Sequence, residues 1–216
     1  MTLDGPGFAP LAGGKAASLV ILLHGVGALG SDLLFLAQAW RKRLPETEFI
    51  APDAPFPCDY SPDSRQWFSL QDRAPEKLLA GLREADAILD RFFDELLASR
   101  GLDESCLALA GFSQGAATAL YAGLRRQKQI AGIAAFSGAL PVGAAKDIVG
   151  KPPVFLVHGM DDTVVPFQSM AFTRAMLDAA GVPVQAAARP GLGHAIDEEG
   201  MAMAGDFLGG VLSARA

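Results

Sequence analysis

The chain has 216 residues, half of them apolar and 19% charged, with a formal net charge of −6. That length fits one domain over residues 1–216, and the composition excludes an intrinsically disordered chain. The negative balance gives no electrostatic footprint for nucleic acid or for an anionic membrane surface.

Residues 1–17 are rich in Gly and Pro, leave room for a short edge strand, and contain no apolar signal-peptide core. The apolar run 18–23 is strand-length and far too short to span a bilayer, so no stable membrane insertion is expected. Asp32 is placed to cap a helix over 33–44 that ends before Pro45. A second strand follows at 48–51. The connection 52–74 carries Pro52, Pro55, Pro57 and Pro62 together with Phe56, Tyr60, Trp67 and Phe68. Connections of that length in a compact fold are usually functional, and four aromatics argue for packed structure.

Pro75 opens a long helix to Arg100, with Gly101 as its stop. Its apolar positions, from Leu78 and Leu79 through Leu82, Ala85, Ile88, Leu89, Phe92 and Phe93 to Leu96, form one core-facing stripe. Further strands are predicted at 105–110, 130–136, 153–157 and 182–188, and further helices at 114–126, 167–180 and 196–212. The connection 138–152 is small and polar and reads as a plain surface crossing. Short apolar runs alternating with amphipathic ones indicate a mostly parallel sheet covered by helices. Cys58 and Cys106 are too few for a disulfide framework and lack metal-site spacing. They read as free thiols, Cys106 buried beside a strand, in a cytoplasmic setting. No cluster calls for a metal or an organic cofactor.

The chemistry centres on Gly111-Phe112-Ser113-Gln114-Gly115. In a chain with 24 glycines the pattern alone is weak. Its place between a buried strand and a helix start is the context that a nucleophile elbow requires. A serine needs a base, and the base needs an orienting acid. Of the three histidines, only His194 follows Ser113 with a further strand and an acid in between. Asp161 and Asp162 both sit at the end of the 153–157 strand, and spacing does not choose between them. His24 and His158 each precede a glycine at a strand end and read as structural, bonding their loops. The loop His24-Gly25-Val26-Gly27 can present the Val26 N–H to an oxyanion, paired with the N–H of Gln114.

Five stretches, in order, resemble the phospholipase/carboxylesterase family, which includes the acyl-protein thioesterases. They are Leu23-His24-Gly25-Val26-Gly27, Ala51-Pro52-Asp53-Ala54-Pro55 with Arg65-Gln66-Trp67-Phe68, the Ser113 motif, the run from His158 to Pro166, and Gly193-His194. The resemblance implies an α/β-hydrolase fold without a large cap domain. It implies Ser113 as nucleophile, His194 as base, and Asp162 rather than Asp161 as the acid. Val26 and Gln114 become the oxyanion donors, and the Arg65–Phe68 segment lies near the acyl site, with Trp67 and Phe68 as substrate-binding walls. Departures fall at Ala116, where a glycine is common, and at Met160 and Thr163, none of them triad positions. The implied activity is hydrolysis of a small-molecule carboxylic ester or thioester, or of a lysophospholipid. A catalytically silent binding protein, a peptidase or a lactonase on the same scaffold are the alternatives. Many relatives form homodimers, and no exposed stripe in this sequence settles that state.

Overall fold

The computed structural model describes residues 3–214. Its main sheet has seven strands, taken here in chain order. They are β1 (Gly7–Phe8), β2 (Ser18–Leu23), β3 (Thr47–Ile50), β6 (Leu107–Phe112), β7 (Gly132–Phe136), β8 (Val154–Gly159) and β9 (Val184–Arg189). The spatial order is β1-β3-β2-β6-β7-β8-β9. Every pairing is parallel except β1 on β3, so the Gly/Pro-rich start does supply an edge strand, two residues long.

Among the described residues the five α-helices are α1 (Leu34–Trp40), α2 (Pro75–Arg100), α3 (Gln114–Arg125), α4 (Gln168–Ala179) and α5 (Glu198–Ser213). Side chains alternate along each strand, so both faces of the sheet must be covered. Leu19, Ile21 and Leu23 of β2 pack with Leu82, Leu89 and Phe93 of α2, Leu120 of α3 and Leu177 of α4. Val20 and Leu22 point the other way, against Leu36 and Trp40 of α1 and Leu208 of α5. This mostly parallel sheet with helices on both faces is the α/β-hydrolase arrangement that the resemblance implies.

Several local expectations are corrected. Asp32 does not cap α1 from outside. It lies within a short 3₁₀ turn, Gly30–Leu33, and its carboxylate accepts the Leu29 N–H at 2.9 Å. Asp103 caps another such turn, Glu104–Cys106, which delays the next strand to Leu107 and leaves Cys106 half-buried rather than buried. The connection 52–74, expected to be irregular, contains an antiparallel hairpin, β4 (Phe56–Cys58) with β5 (Ser61–Gln66). Among the described residues no helix is long and apolar enough to cross a membrane.

Candidate active site

The C-terminal ends of parallel strands gather the loops of an open α/β sheet, and the candidate residues meet there. Ser113 links β6 to α3 in a turn so sharp that its backbone sits at φ 55°, ψ −119°. A side chain rarely tolerates that geometry, which costs about 1–3 kcal/mol and persists only where the surroundings enforce it. The enforcement is visible in the glycines. A Cβ on Gly111 would run into the Gly115 backbone, and a Cβ on Gly115 would run into the Leu23 and His24 carbonyls. The helix crosses both strands at backbone contact. The Ser113 N–H is tied to the Phe136 carbonyl at 2.9 Å.

His194, on the loop after β9, places Nε2 2.9 Å from the Ser113 Oγ and Nδ1 2.7 Å from Asp162 Oδ2. Its ring lies over Phe112, with centroids 4.8 Å apart. Asp162 is buried on the turn after β8, and its Oδ1 accepts the Val164 and Val165 N–H groups, both at 2.9 Å. Burial alone would raise this carboxyl. The hydrogen bonds from His194, Val165 and Val164 outweigh it and hold the group below the ordinary carboxylate range. As an anion Asp162 accepts from Nδ1–H, which leaves Nε2 free to accept the serine proton. Asp161 is exposed, and its backbone bonds the Leu192 carbonyl.

His158 donates Nε2–H to the Val165 carbonyl at 2.8 Å and lies 3.3 Å from Asp162 Oδ2, bracing the same turn. His24 is fully buried. Its Nε2 accepts the Ala54 N–H at 2.9 Å, so Nδ1 carries the proton and donates to the Gly25 carbonyl at 2.7 Å. Burial pushes its pKa down, and the Gly25 bond with the Asp53 and Asp32 charges only partly offsets that.

The glycine loop after β2 runs beside the nucleophile: a Cβ on Gly25 would stand 3.5 Å from the Ser113 Cβ. Among the described residues the Val26 N–H donates to no backbone carbonyl. Gln114 opens α3, so its N–H has no intrahelical acceptor, and the helix dipole puts partial positive charge there. Two unspent donors thus flank Ser113.

Two cavities meet at Ser113. One, about 510 Å³, is lined by His194, Phe112, Ile196, Phe35 and Asp32. The other, about 350 Å³, is lined by Phe68, Leu70, Tyr60, Leu82, Leu140 and Val165, and His194 is not among its walls. Phe68, expected as a substrate-binding wall, lines the second cavity. Trp67, expected beside it as a wall, has no exposed surface and lines neither cavity. The physical reason is that its indole and its backbone are both consumed by buried hydrogen bonds behind the site. The connection 138–152 is also more than a surface crossing. Ala139, Leu140 and Pro141 form a wall shared by the 350 Å³ cavity and a neighbouring apolar groove of about 830 Å³ running to Phe172 and Met176 of α4. Tyr60, Leu70, Leu140 and Val165 were missed as pocket walls. They come from four separate loops and carry no periodic signal.

A family model described as Phospholipase/Carboxylesterase matches residues 11–212. Acyl-protein thioesterase 1 of Neurospora crassa is 30% identical over 212 residues, covering 90% of this chain and 86% of that protein. The crystal structure of esterase PE8 superposes with a TM-score of 0.92 at 39% identity, covering 98% of this chain and 100% of the other. Arabidopsis thaliana SOBER1 gives a TM-score of 0.76 at 25% identity, with 90% of this chain and 99% of the other covered.

Proposed function

The chain belongs to the phospholipase/carboxylesterase family, and from that premise we propose that it is a serine esterase acting through an acyl-enzyme on Ser113. Its relatives place it among ester and thioester hydrolases. The observation that carries the serine mechanism is the chain of contacts from Ser113 Oγ through His194 to buried Asp162, at 2.9 and 2.7 Å.

In this reading His194 takes the hydroxyl proton as Ser113 Oγ adds to the carbonyl carbon. Asp162 holds the tautomer and stabilises the imidazolium. The Val26 and Gln114 N–H groups receive the oxyanion, a contribution of about 3–4 kcal/mol per donor in comparable enzymes. The tetrahedral intermediate collapses, the leaving alcohol or thiol takes the proton from His194, and water then repeats the sequence on the acyl-enzyme. Because the leaving group must meet His194, it occupies the 510 Å³ cavity that His194 lines. The acyl chain then lies along Phe68, Leu70 and Leu82 in the cavity on the far side. The whole chain serves as one catalytic domain, and the substrates are small-molecule esters or thioesters of apolar acids.

A fluorophosphonate probe and a p-nitrophenyl ester series test this directly. The parent protein should be labelled once and should show a burst of p-nitrophenol, and Ser113→Ala should do neither. Labelling or turnover that survives in Ser113→Ala would remove the assignment.

A further inference from the structure

Trp67 occupies an unusual position between the two oxyanion donors. Its indole Nε1–H donates to the His24 carbonyl at 2.9 Å, one residue before Gly25 and two before Val26. Its backbone N–H donates to the Gln114 side-chain Oε1 at 2.8 Å, and Gln114 Nε2 returns a bond to the Phe68 carbonyl at 2.8 Å. The His24 and Trp67 rings are in contact, with centroids 5.5 Å apart. The same segment is sewn to the glycine loop just upstream. Gly27 N–H donates to the Arg65 carbonyl at 2.9 Å, and Arg65 N–H donates to the Ala28 carbonyl at 3.2 Å. The clamp itself is buried: Trp67 and His24 have no exposed surface and Gln114 has 6%.

We propose that Trp67 is a positioning residue for the oxyanion hole, fixing the distance between the Val26 and Gln114 N–H groups. The proposal rests on the serine-esterase reading above. Val26 lies on the loop after β2 and Gln114 at the first position of α3, after β6, and among the described residues no backbone hydrogen bond joins that loop to the start of α3. Trp67 reaches both through groups of fixed length, a planar indole on one side and a bidentate amide clamp on the other. Such rigidity is what an oxyanion site needs, since a misplacement of about 1 Å in a reacting constellation can cost about 10²-fold. Because Trp67 lines neither cavity at Ser113, this influence is blind to the substrate's acyl chain.

Trp67→Phe keeps the ring packing and the backbone N–H and removes the indole donor. With p-nitrophenyl esters from acetate to octanoate, kcat should fall about 10- to 100-fold by the same factor at every chain length, with KM nearly unchanged. Affinity for a trifluoromethyl ketone, whose hemiketal presents an oxyanion to the two donors, should fall by that same factor when measured well below the melting temperature. Gln114→Met provides a second variant that retains its N–H and loses the clamp; because Gln114 also lines the 350 Å³ cavity, its expected signature is the same loss of trifluoromethyl ketone affinity, not uniformity across chain lengths. An unchanged kcat in a folded variant would overturn the proposal. So would a loss in Trp67→Phe that depends on chain length, or one in either variant that leaves trifluoromethyl ketone affinity untouched. Failure of the parent to hydrolyse any ester, or full activity in Ser113→Ala, would instead remove the reading on which the proposal stands.

Discussion

Gly115→Ala is the smallest change that tests how the elbow is assembled. Gly115 is the second residue of α3, and helix propensity alone would favour alanine there by about 1 kcal/mol. The surroundings decide the other way. The added Cβ would stand far inside 3.0 Å of the Leu23 and His24 carbonyl oxygens, a separation real Cβ atoms do not show. Those carbonyls close the C-terminal end of β2, which is paired on one side with β3 and on the other with β6, so they cannot swing aside as a flexible side chain would. Overpacking costs about 1–3 kcal/mol, and a backbone obstacle belongs at the upper end. After the helix gain, about 2 kcal/mol of destabilisation remains. For a chain of this size that is a fall in Tm of about 4–8 °C. The same push moves His24, and with it Gly25 and Val26, away from Ser113. Turnover of p-nitrophenyl butyrate should therefore fall on the order of 10²-fold. Calorimetry and steady-state kinetics on purified parent and variant check both numbers. A variant that melts with the parent and keeps its kcat would refute the close approach of α3 to β2 as the reason for this glycine.

Gly210→Ala is the converse case, because a Cβ at that helical position meets nothing within 4 Å. It should gain about 1 kcal/mol and about 2–4 °C in a thermal melt, and a loss would contradict the open space seen there. Ser113→Gly and Ser113→Ala should both be inactive but unequal in stability. Glycine relieves about 1–3 kcal/mol of backbone strain at φ 55° and costs about 0.4–1 kcal/mol in unfolded-chain entropy, so it should be the more stable by about 1 kcal/mol in urea titration. Asp162→Asn keeps an oxygen for the Val164 and Val165 N–H groups and turns an amide donor towards His194. Turnover should drop about 10⁴-fold with the fold intact, and a variant within tenfold of the parent would exclude Asp162 as the orienting acid. His24 titrates below its ordinary value in the folded chain, whereas the unfolded chain takes up a proton near pH 6.5. Its contribution to stability is thus complete above about pH 6.5 and is lost as pH falls below that, by up to about 1.4 kcal/mol per pH unit. In His24→Gln that part of the acid slope should vanish from denaturant midpoints measured across this range, and an unchanged slope would show that His24 is not its source.

Much of this protein is written locally. Strands 18–23 and 154–159 are legible because continuous apolar runs flanked by turn residues have few other uses. The helix Pro75–Arg100 is bounded by residues whose backbone preferences start and stop helices. The Ser113 turn is legible for the same reason, since only glycines let a helix and two strands approach that closely. The hairpin β4–β5 was not legible: Ser61-Pro62-Asp63-Ser64-Arg65-Gln66 is polar and largely exposed, so no alternation marks it as a strand. Spacing left Asp161 and Asp162 equivalent, family resemblance preferred Asp162, and the folded turn buries Asp162 while leaving Asp161 in solvent. Trp67 shows the limit most clearly. The family resemblance implied a place for it near the acyl site, as a substrate-pocket wall, and in the fold it lines neither cavity at Ser113. Whether it faced the substrate or braced the backbone depended on partners 43 and 47 positions away, His24 and Gln114. Local propensity fixes which segments become strands, helices and elbows. The direction a buried side chain faces is set by hydrogen bonds between loops that only the closed sheet brings together.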